Sequence, residues 1–319
     1  MLYVTTGEKY DAYTVARVLA SDCGPDGGRY LPFKMPRFTA GEVRGLKDKT
    51  FGQCVADVLN LFFCAGLSGW DVEFCIGRYP VKPASMGQKI LVAECWRNLD
   101  GSYAKMERQL AARVCGCFPA EVKLTSWLRI AIRIAVLTGV FGELQRMGIS
   151  DAVDVAVPEG DFTVPMAVWY TRQMGLPIAN IICGCADGSN AWDLIHTGQL
   201  RTAGGVEPEL ERLVHGTLGV DEALRYRYIC EGGEVYSLLP HMLSTLRSGL
   251  YAAVVSRERL AAVVPNVYRT NAYLLEPGAA ISYSALLDYR AKNGESRCAM
   301  LIADEDPTDS EQKLKELLH

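Results

Sequence analysis

Glu159-Gly160-Asp161-Phe162-Thr163 is the stretch whose residue types and spacing best suit chemistry. It stands between an apolar run, Asp154-Val-Ala-Val-Pro158, and a helical stretch from Val164 to Met174 that stops at Gly175. A glycine turn at a helix start aims free backbone N–H groups at one spot, which suits an anion. The same turn also serves as plain scaffold between a strand and a helix. Two carboxylates, Glu159 and Asp161, share that helix start and could act as acid or base. Arg129 and Arg133 lie four residues apart, on one face of a helix. Either they hold an anionic ligand, or they end in ion pairs with Glu94, Asp161 or another carboxylate. Asp304, Glu305 and Asp306 are consecutive, so they cannot all point one way. A solvated turn explains them better than a metal site.

Eleven cysteines are scattered along the chain, among them the pairs Cys115/Cys117 and Cys183/Cys185. Zinc sites prefer a C-x₂₋₄-C spacing with a second such pair, and the four histidines do not cluster in sequence. Reduced thiols packed as small hydrophobes are expected. Cys183 and Cys185 fall on one face of a strand, and packing alone explains their spacing.

The elements that position these groups follow from pattern. After the helix to Met174 come Pro177 and a β-like run, Ile178–Cys185. Asp187 and Ser189 then cap a helix from Asn190 to His196. Strand, glycine turn, helix, strand and helix make a βαβ unit with a buried parallel sheet. Upstream, Tyr3–Thr6 reads as a strand and Asp11–Leu19 as a helix. Asp22 to Pro32 is a dense turn cluster with three glycines and two prolines. A helix over Phe51–Ala65 has Thr50 as its N-cap. Leu124–Leu144 is the most apolar stretch, but Arg129 and Arg133 interrupt it, so a buried helix is expected and not a membrane span. Downstream, Pro208–His215 is a helix, and Val254–Val264 reads as helix and then strand. Ala280–Lys292 is a helix, Ala299–Ile302 a strand, and Ser310–Leu318 an amphipathic helix. The expected organisation is an N-terminal helical segment, 1–86, and an α/β core, 87–319.

The 319 residues are 49% hydrophobic, enough for a large core. Net charge is −4 with no run of lysine or arginine, which argues against a nucleic-acid partner. Met1-Leu-Tyr-Val-Thr-Thr-Gly-Glu8 is not a signal-peptide pattern, so a cytoplasmic location is expected, with no membrane partner.

Several phrases occur in an order that resembles threonine synthase. Tyr3-Val-Thr-Thr-Gly7 and Pro25-Asp-Gly-Gly-Arg-Tyr-Leu-Pro32 resemble the family's opening strand and its Asp-Gly-Gly-x-Tyr-x-Pro turn. Pro158 to Thr197 resembles the phosphate loop, the helix, a Met-Gly-Leu-Pro-Ile phrase (Met174–Ile178) and a phrase ending in Thr-Gly (Leu194–Gly198). Tyr273-Leu-Leu-Glu-Pro-Gly-Ala-Ala-Ile281 resembles a later Tyr-Leu-Leu-Asp-Pro phrase. The resemblance implies an α/β fold with a mostly parallel sheet core of the tryptophan-synthase β type. It also implies pyridoxal 5'-phosphate as cofactor and conversion of O-phosphohomoserine and water to threonine and phosphate. It assigns Lys105, in Glu94-Cys-Trp-Arg-Asn-Leu-Asp-Gly-Ser-Tyr-Ala-Lys105, to the Schiff base. It assigns Gly160, Asp161, Phe162 and Thr163 to the cofactor phosphate. Arg129 is the candidate for a substrate anion, so a small anionic ligand or an amino acid is the expected partner.

The sequence departs from the family at these same places. The His-Gly-Pro core before the lysine is absent, and a solvated helix-start residue is the favoured reading of Lys105. No Ser-Gly-Asp-Thr-Gly phrase occurs, and the phrase that should follow the mobile subdomain begins at Leu124, 19 residues after Lys105. The second subdomain is therefore expected to be reduced or missing. Without that lid, water exclusion suffers and apolar surface is left for a homodimer. The loop's second glycine is Thr163 and its asparagine is Asp161, a like charge beside a phosphate. The family's Ala-His-Pro phrase reads Ala303-Asp-Glu-Asp-Pro307. The expected function is a binding or partner module that has lost the family reaction. The alternative is an active pyridoxal-phosphate lyase of the threonine synthase type or on a related amino acid. A third reading uses the cleft without this cofactor, with Asp161 or Glu159 as acid or base.

Overall fold

The computed structural model describes residues 1–319 apart from 8–10, 78–80, 82, 88, 100, 119–122, 202–207, 231–232, 295–296, 309–314 and 316–319. The helix expected over 310–318 lies, but for Lys315, outside the described residues.

Two short strands open the chain, β1 (Tyr3–Thr5) and β2 (Tyr30–Pro32), paired antiparallel with α1 (Val15–Ala20) between them. The helix expected from Asp11 starts only at Val15. Tyr13 exchanges both backbone hydrogen bonds with Tyr3, at 3.0 and 2.7 Å, which holds it extended. The turn at Pro25-Asp-Gly-Gly has a local cause. The Asp26 carboxylate accepts from the Thr5 hydroxyl at 2.6 Å and from the Gly28 N–H at 3.1 Å. A Cβ on Gly28 would lie 2.3 Å from the Gly7 nitrogen, so only glycine fits.

Next come α2 (Ala40–Arg44), a 3₁₀ turn (Gly45–Asp48), α3 (Phe51–Phe63) and α4 (Gly69–Ile76). Thr50 with Gln53 and Ser68 with Asp71 form capping boxes that start α3 and α4. The remaining elements are β3 (Pro83–Gly87), β4 (Ile90–Glu94), α5 (Tyr103–Cys115), α6 (Ser126–Arg146), β5 (Val153–Pro158), α7 (Thr163–Gln173) and β6 (Ile178–Cys185). They are followed by α8 (Asn190–Thr197), β7 (Gln199–Arg201), α9 (Pro208–Leu218), α10 (Val220–Arg225), β8 (Arg227–Cys230) and β9 (Gly233–Ser237). The last are α11 (Pro240–Arg247), β10 (Leu250–Val254), α12 (Arg257–Asn271), α13 (Pro277–Asn293) and β11 (Ala299–Ala303).

Six strands form the central sheet in the order β10-β6-β5-β11-β4-β3. All pairings are parallel except that of β3, which runs antiparallel on the edge. Side chains alternate between two cores, as the pleat requires. Leu91, Ala93, Val155, Val157, Met300 and Ile302 face the core built with α3, α5, α6 and α7. Ile90, Val92, Ala156, Ala299, Leu301 and Ala303 face the core built with α12 and α13. Strands β7, β9 and β8 form a separate antiparallel sheet of three.

Between Val254 and Val264 the expected order is reversed. The strand comes first and ends at Val254, and α12 starts at Arg257. The Ser256 side chain accepts from the Arg259 N–H, and Leu260, Val263, Val264 and Val267 bury one helical face. Helix α6 is buried nearly all round, and no helix among the described residues is long and apolar enough to cross a membrane.

Candidate functional site

Strand β11 arrives last and inserts between β5 and β4, so three carboxyl ends meet. In a parallel sheet that edge is where ligands bind. The Cys95 N–H, just past β4, donates to the Ala303 carbonyl at 2.8 Å. The start of α5 closes over this edge, with the Tyr103 N–H 3.3 Å from the Asp304 carbonyl. Helices α6 and α7 complete the walls.

The helix start after β5 forms as expected. Gly160 has φ 51° and Phe162 φ 62°, both left-handed, and the chain turns between them into α7. A buried phenylalanine in that region is strained. What fills the turn is the chain's own carboxylate. The Thr163 N–H donates to Asp161 Oδ1 at 3.0 Å, and Arg129 Nη1 donates to Asp161 Oδ2 at 2.7 Å. Burial raises the Asp161 pKa, but the bonds from Thr163 and Arg129 outweigh it and hold the carboxyl below its usual range. Glu159 turns away to the next helix start. It accepts from the Ala186 N–H at 3.1 Å and from the Ser189 hydroxyl.

The two arginines of α6 are also paired inside the chain. Arg129 Nε lies 3.5 Å from Glu107 Oε2, so its guanidinium bridges α5 and the α7 turn. Arg133 is 3% exposed, so its head is buried with its stem. It binds Asp304 through two parallel bonds of 2.7 and 2.6 Å and lies over the Tyr103 ring at 3.2 Å. Asp304 is therefore no mere solvated turn residue. Of the carboxylates weighed as partners, Asp161 takes Arg129, whereas Glu94 takes Arg97 at 2.5 Å and the Tyr273 hydroxyl at 2.7 Å. Burial pushes the Glu107 carboxyl up, more than Arg133 and Arg129 pull it down. Burial likewise pushes the Cys95 thiol up to about 12, which removes it as a nucleophile.

Lys105 stands in the first turn of α5 with its side chain exposed to solvent. Tyr103 and Met106 beside it are the buried members of that turn. Thus Arg129, Asp161 and Thr163 are brought together, and Lys105 is on an exposed face. Cys183 and Cys185 share a buried face, their sulfurs 3.8 Å apart. Among the described residues no group of three or more His, Cys, Asp or Glu is placed to hold a metal ion.

Two residues with a part in the site escape sequence reasoning. Glu107 is one helical turn from Tyr103, a spacing visible on α5 only once its buried face is known. Glu276 caps α13 by accepting from the Gly278 N–H at 2.7 Å and the Ala279 N–H at 2.6 Å. It lines a hollow of about 210 Å³ with Pro158, Val164, Gly278, Asp304 and Glu305. Burial, with Asp304 and Glu305 adding to it, lifts the Glu276 carboxyl to about 7. The folded state then holds this proton more tightly than the unfolded chain, whose value is 4.5. Its contribution is fully present below pH 4.5 and is lost as pH rises through about 7. Glu276→Gln is expected to remove about 3 kcal/mol of stability loss between those limits. Urea midpoints of both proteins across that range measure it, and parallel pH profiles would refute it.

Comparison with known proteins agrees with this fold. Residues 2–78 match the family model of the threonine synthase N terminus. Over 185 residues the chain is 23% identical to human threonine synthase-like 1. That stretch covers 52% of this chain and only 25% of the human protein's length. The PLP-bound threonine synthase of Brucella melitensis superposes with a TM-score of 0.77 at 16% identity, over 99% of this chain and 91% of that one. Yeast threonine synthase superposes with a TM-score of 0.80 at 12% identity, over 99% and 89%. The chain resembles threonine synthase, and its mostly parallel sheet is the tryptophan-synthase β type of α/β fold.

Proposed function

We propose that this threonine-synthase-like chain has given up the cofactor chemistry of its fold and works as a binding module. One observation carries the reading: the Asp161 carboxylate occupies the N–H and guanidinium donors that a cofactor phosphate would need. A phosphate brought to α7 must displace that carboxylate or lie against it, and like charges at such range repel. The hollow alongside adds three acidic side chains, Glu276, Asp304 and Glu305. These residues do not fit a dianionic phosphate. Nor does Lys105 fit a Schiff base, which needs an enclosed amine held against the cofactor, whereas this side chain is exposed. We therefore derive no catalytic step from Lys105, Gly160, Asp161, Phe162, Thr163 or Arg129. In this reading Arg129, paired with Asp161 and Glu107, closes the cleft from within.

Phosphate release from O-phosphohomoserine, with pyridoxal phosphate added, tests this reading. The expected result is a rate equal to that of buffer. Release that depends on the cofactor and disappears in Lys105→Ala would establish the lyase reading instead.

A further inference from the structure

Three large apolar side chains are left exposed on one face of the chain. Trp70 and Phe74, one turn apart on α4, are 70% and 86% exposed, and Leu99 is 69% exposed. All three line a hollow of about 740 Å³, together with Asp71, Glu73 and Arg113. The Leu99 N–H donates to the Ile76 carbonyl at 3.3 Å, which fixes Leu99 at the end of α4. The capping box of Ser68 and Asp71 starts α4, and Asp71 also takes Arg113 of α5. The face is thus preformed, and little ordering is needed to bind on it.

Its size, shape and charge point to one occupant. A whole aromatic side chain offers about 150–250 Å², so the exposed parts of Trp70 and Phe74 come to about 300 Å². Leu99 adds about 100 Å². An apolar patch of about 400 Å² is often functional. It is also most of what a stable dimer needs: about 800 Å² per partner, of which about 65%, or about 500 Å², is apolar. Trp70 and Glu73 line a second hollow, of about 620 Å³, with Phe51, Gly52 and Arg146. A ridge beside a hollow is self-complementary about a twofold axis. The charges have the same property. Arg113 is half-exposed and pairs with Asp71 through one Nη, which leaves donors for a second carboxylate. Glu73 has the Thr50 hydroxyl, at 3.2 Å, as its partner among the described residues. A partner of a single charge sign would be repelled by part of this surface. A second copy brings Arg113 to Glu73 and Glu73 to Arg113.

We propose that this face joins two copies of the chain in a twofold dimer. Trp70 and Phe74 of each copy enter the hollow of the other, and Glu73 of each meets Arg113 of the other. The inference is independent of the proposed loss of cofactor chemistry, because no residue of the cleft lines this hollow.

Sedimentation velocity of the full chain tests it. The expected result is a dimer with a Kd in the micromolar range. Phe74→Glu is expected to weaken it about thirtyfold or more, the effect of losing a central aromatic anchor, while circular dichroism shows a folded chain. Glu73→Arg alone and Arg113→Glu alone are each expected to dimerise about tenfold more weakly, because each sets like charges opposite one another twice. Mixed in equal amounts, these two variants are expected to associate as tightly as the wild type, because every facing pair is then opposite in sign. A chain that stays monomeric at about 100 µM, as it would if the face served a different protein, overturns the proposal. So do a dimer that is as tight in folded Phe74→Glu, and charge-swapped variants that associate no better mixed than alone.

Discussion

Arg212→Ala is expected to destabilise the chain by about 3–5 kcal/mol, a large share of a domain's usual margin. Arg212 is 0% exposed and pairs with Glu209 one turn earlier on α9, itself 1% exposed. Its remaining donors are spent on the Tyr30 carbonyl at 2.6 Å and the Ser126 hydroxyl at 2.9 Å. One guanidinium therefore joins β2, the start of α6 and α9. Removing it strands a buried carboxylate and a backbone carbonyl together. Replacing both charges, as Arg212→Met with Glu209→Leu, is expected to recover most of the loss, because the desolvation cost disappears with the pair. Urea midpoints followed by tryptophan fluorescence measure both proteins. A single-variant loss within about 0.5 kcal/mol, as at an ordinary surface position, would contradict this account of how the N-terminal segment is held.

Asp304→Ala is the second large effect, and its asymmetry is the informative part. It leaves the Arg133 guanidinium unpaired at 3% exposure, and a cost of about 3–5 kcal/mol is expected. The reverse change, Arg133→Met, leaves a carboxylate that is 34% exposed and can be hydrated, and about 1–2 kcal/mol is expected. The stranded guanidinium also becomes an anion site at the carboxyl edge of the sheet. Millimolar sulfate is therefore expected to raise the melting temperature of Asp304→Ala more than that of the wild type. Equal costs from the two substitutions, with equal responses to sulfate, would show that the pair does not close the cleft.

How much of this was legible depends on the distance along the chain. The turn at Gly160 and the helix after it follow from local signals: an apolar run, a glycine and then helix formers. The repulsion between Asp161 and a phosphate was also readable, since it needs only charge and position. That Asp161 is itself held as the anion depends on Arg129, 32 residues earlier. Arg133 and Asp304 are 171 residues apart, and no periodicity links them. The insertion of β11 between β5 and β4 brings them together, and strand order is not written in any one strand. The reversed order at Val254–Val264 has another cause. A short apolar run fits either element, and the capping Ser256 and the repeat at Leu260, Val264 and Val267 decide it. The Pro25-Asp-Gly-Gly turn was plain as a turn, but its need for Gly28 comes from the Gly7 backbone pressed against it. His215, Tyr236 and Glu211 form a chain across α9 and β9 that sequence spacing does not show.

The central claim is that the cleft's anion donors are already satisfied by Asp161. An absorbance titration of the purified protein with pyridoxal phosphate, followed by borohydride reduction, tests it most directly. The account predicts the spectrum of free cofactor at every concentration and no label fixed to Lys105. A Schiff-base band that borohydride traps, and that Lys105→Ala abolishes, would contradict it.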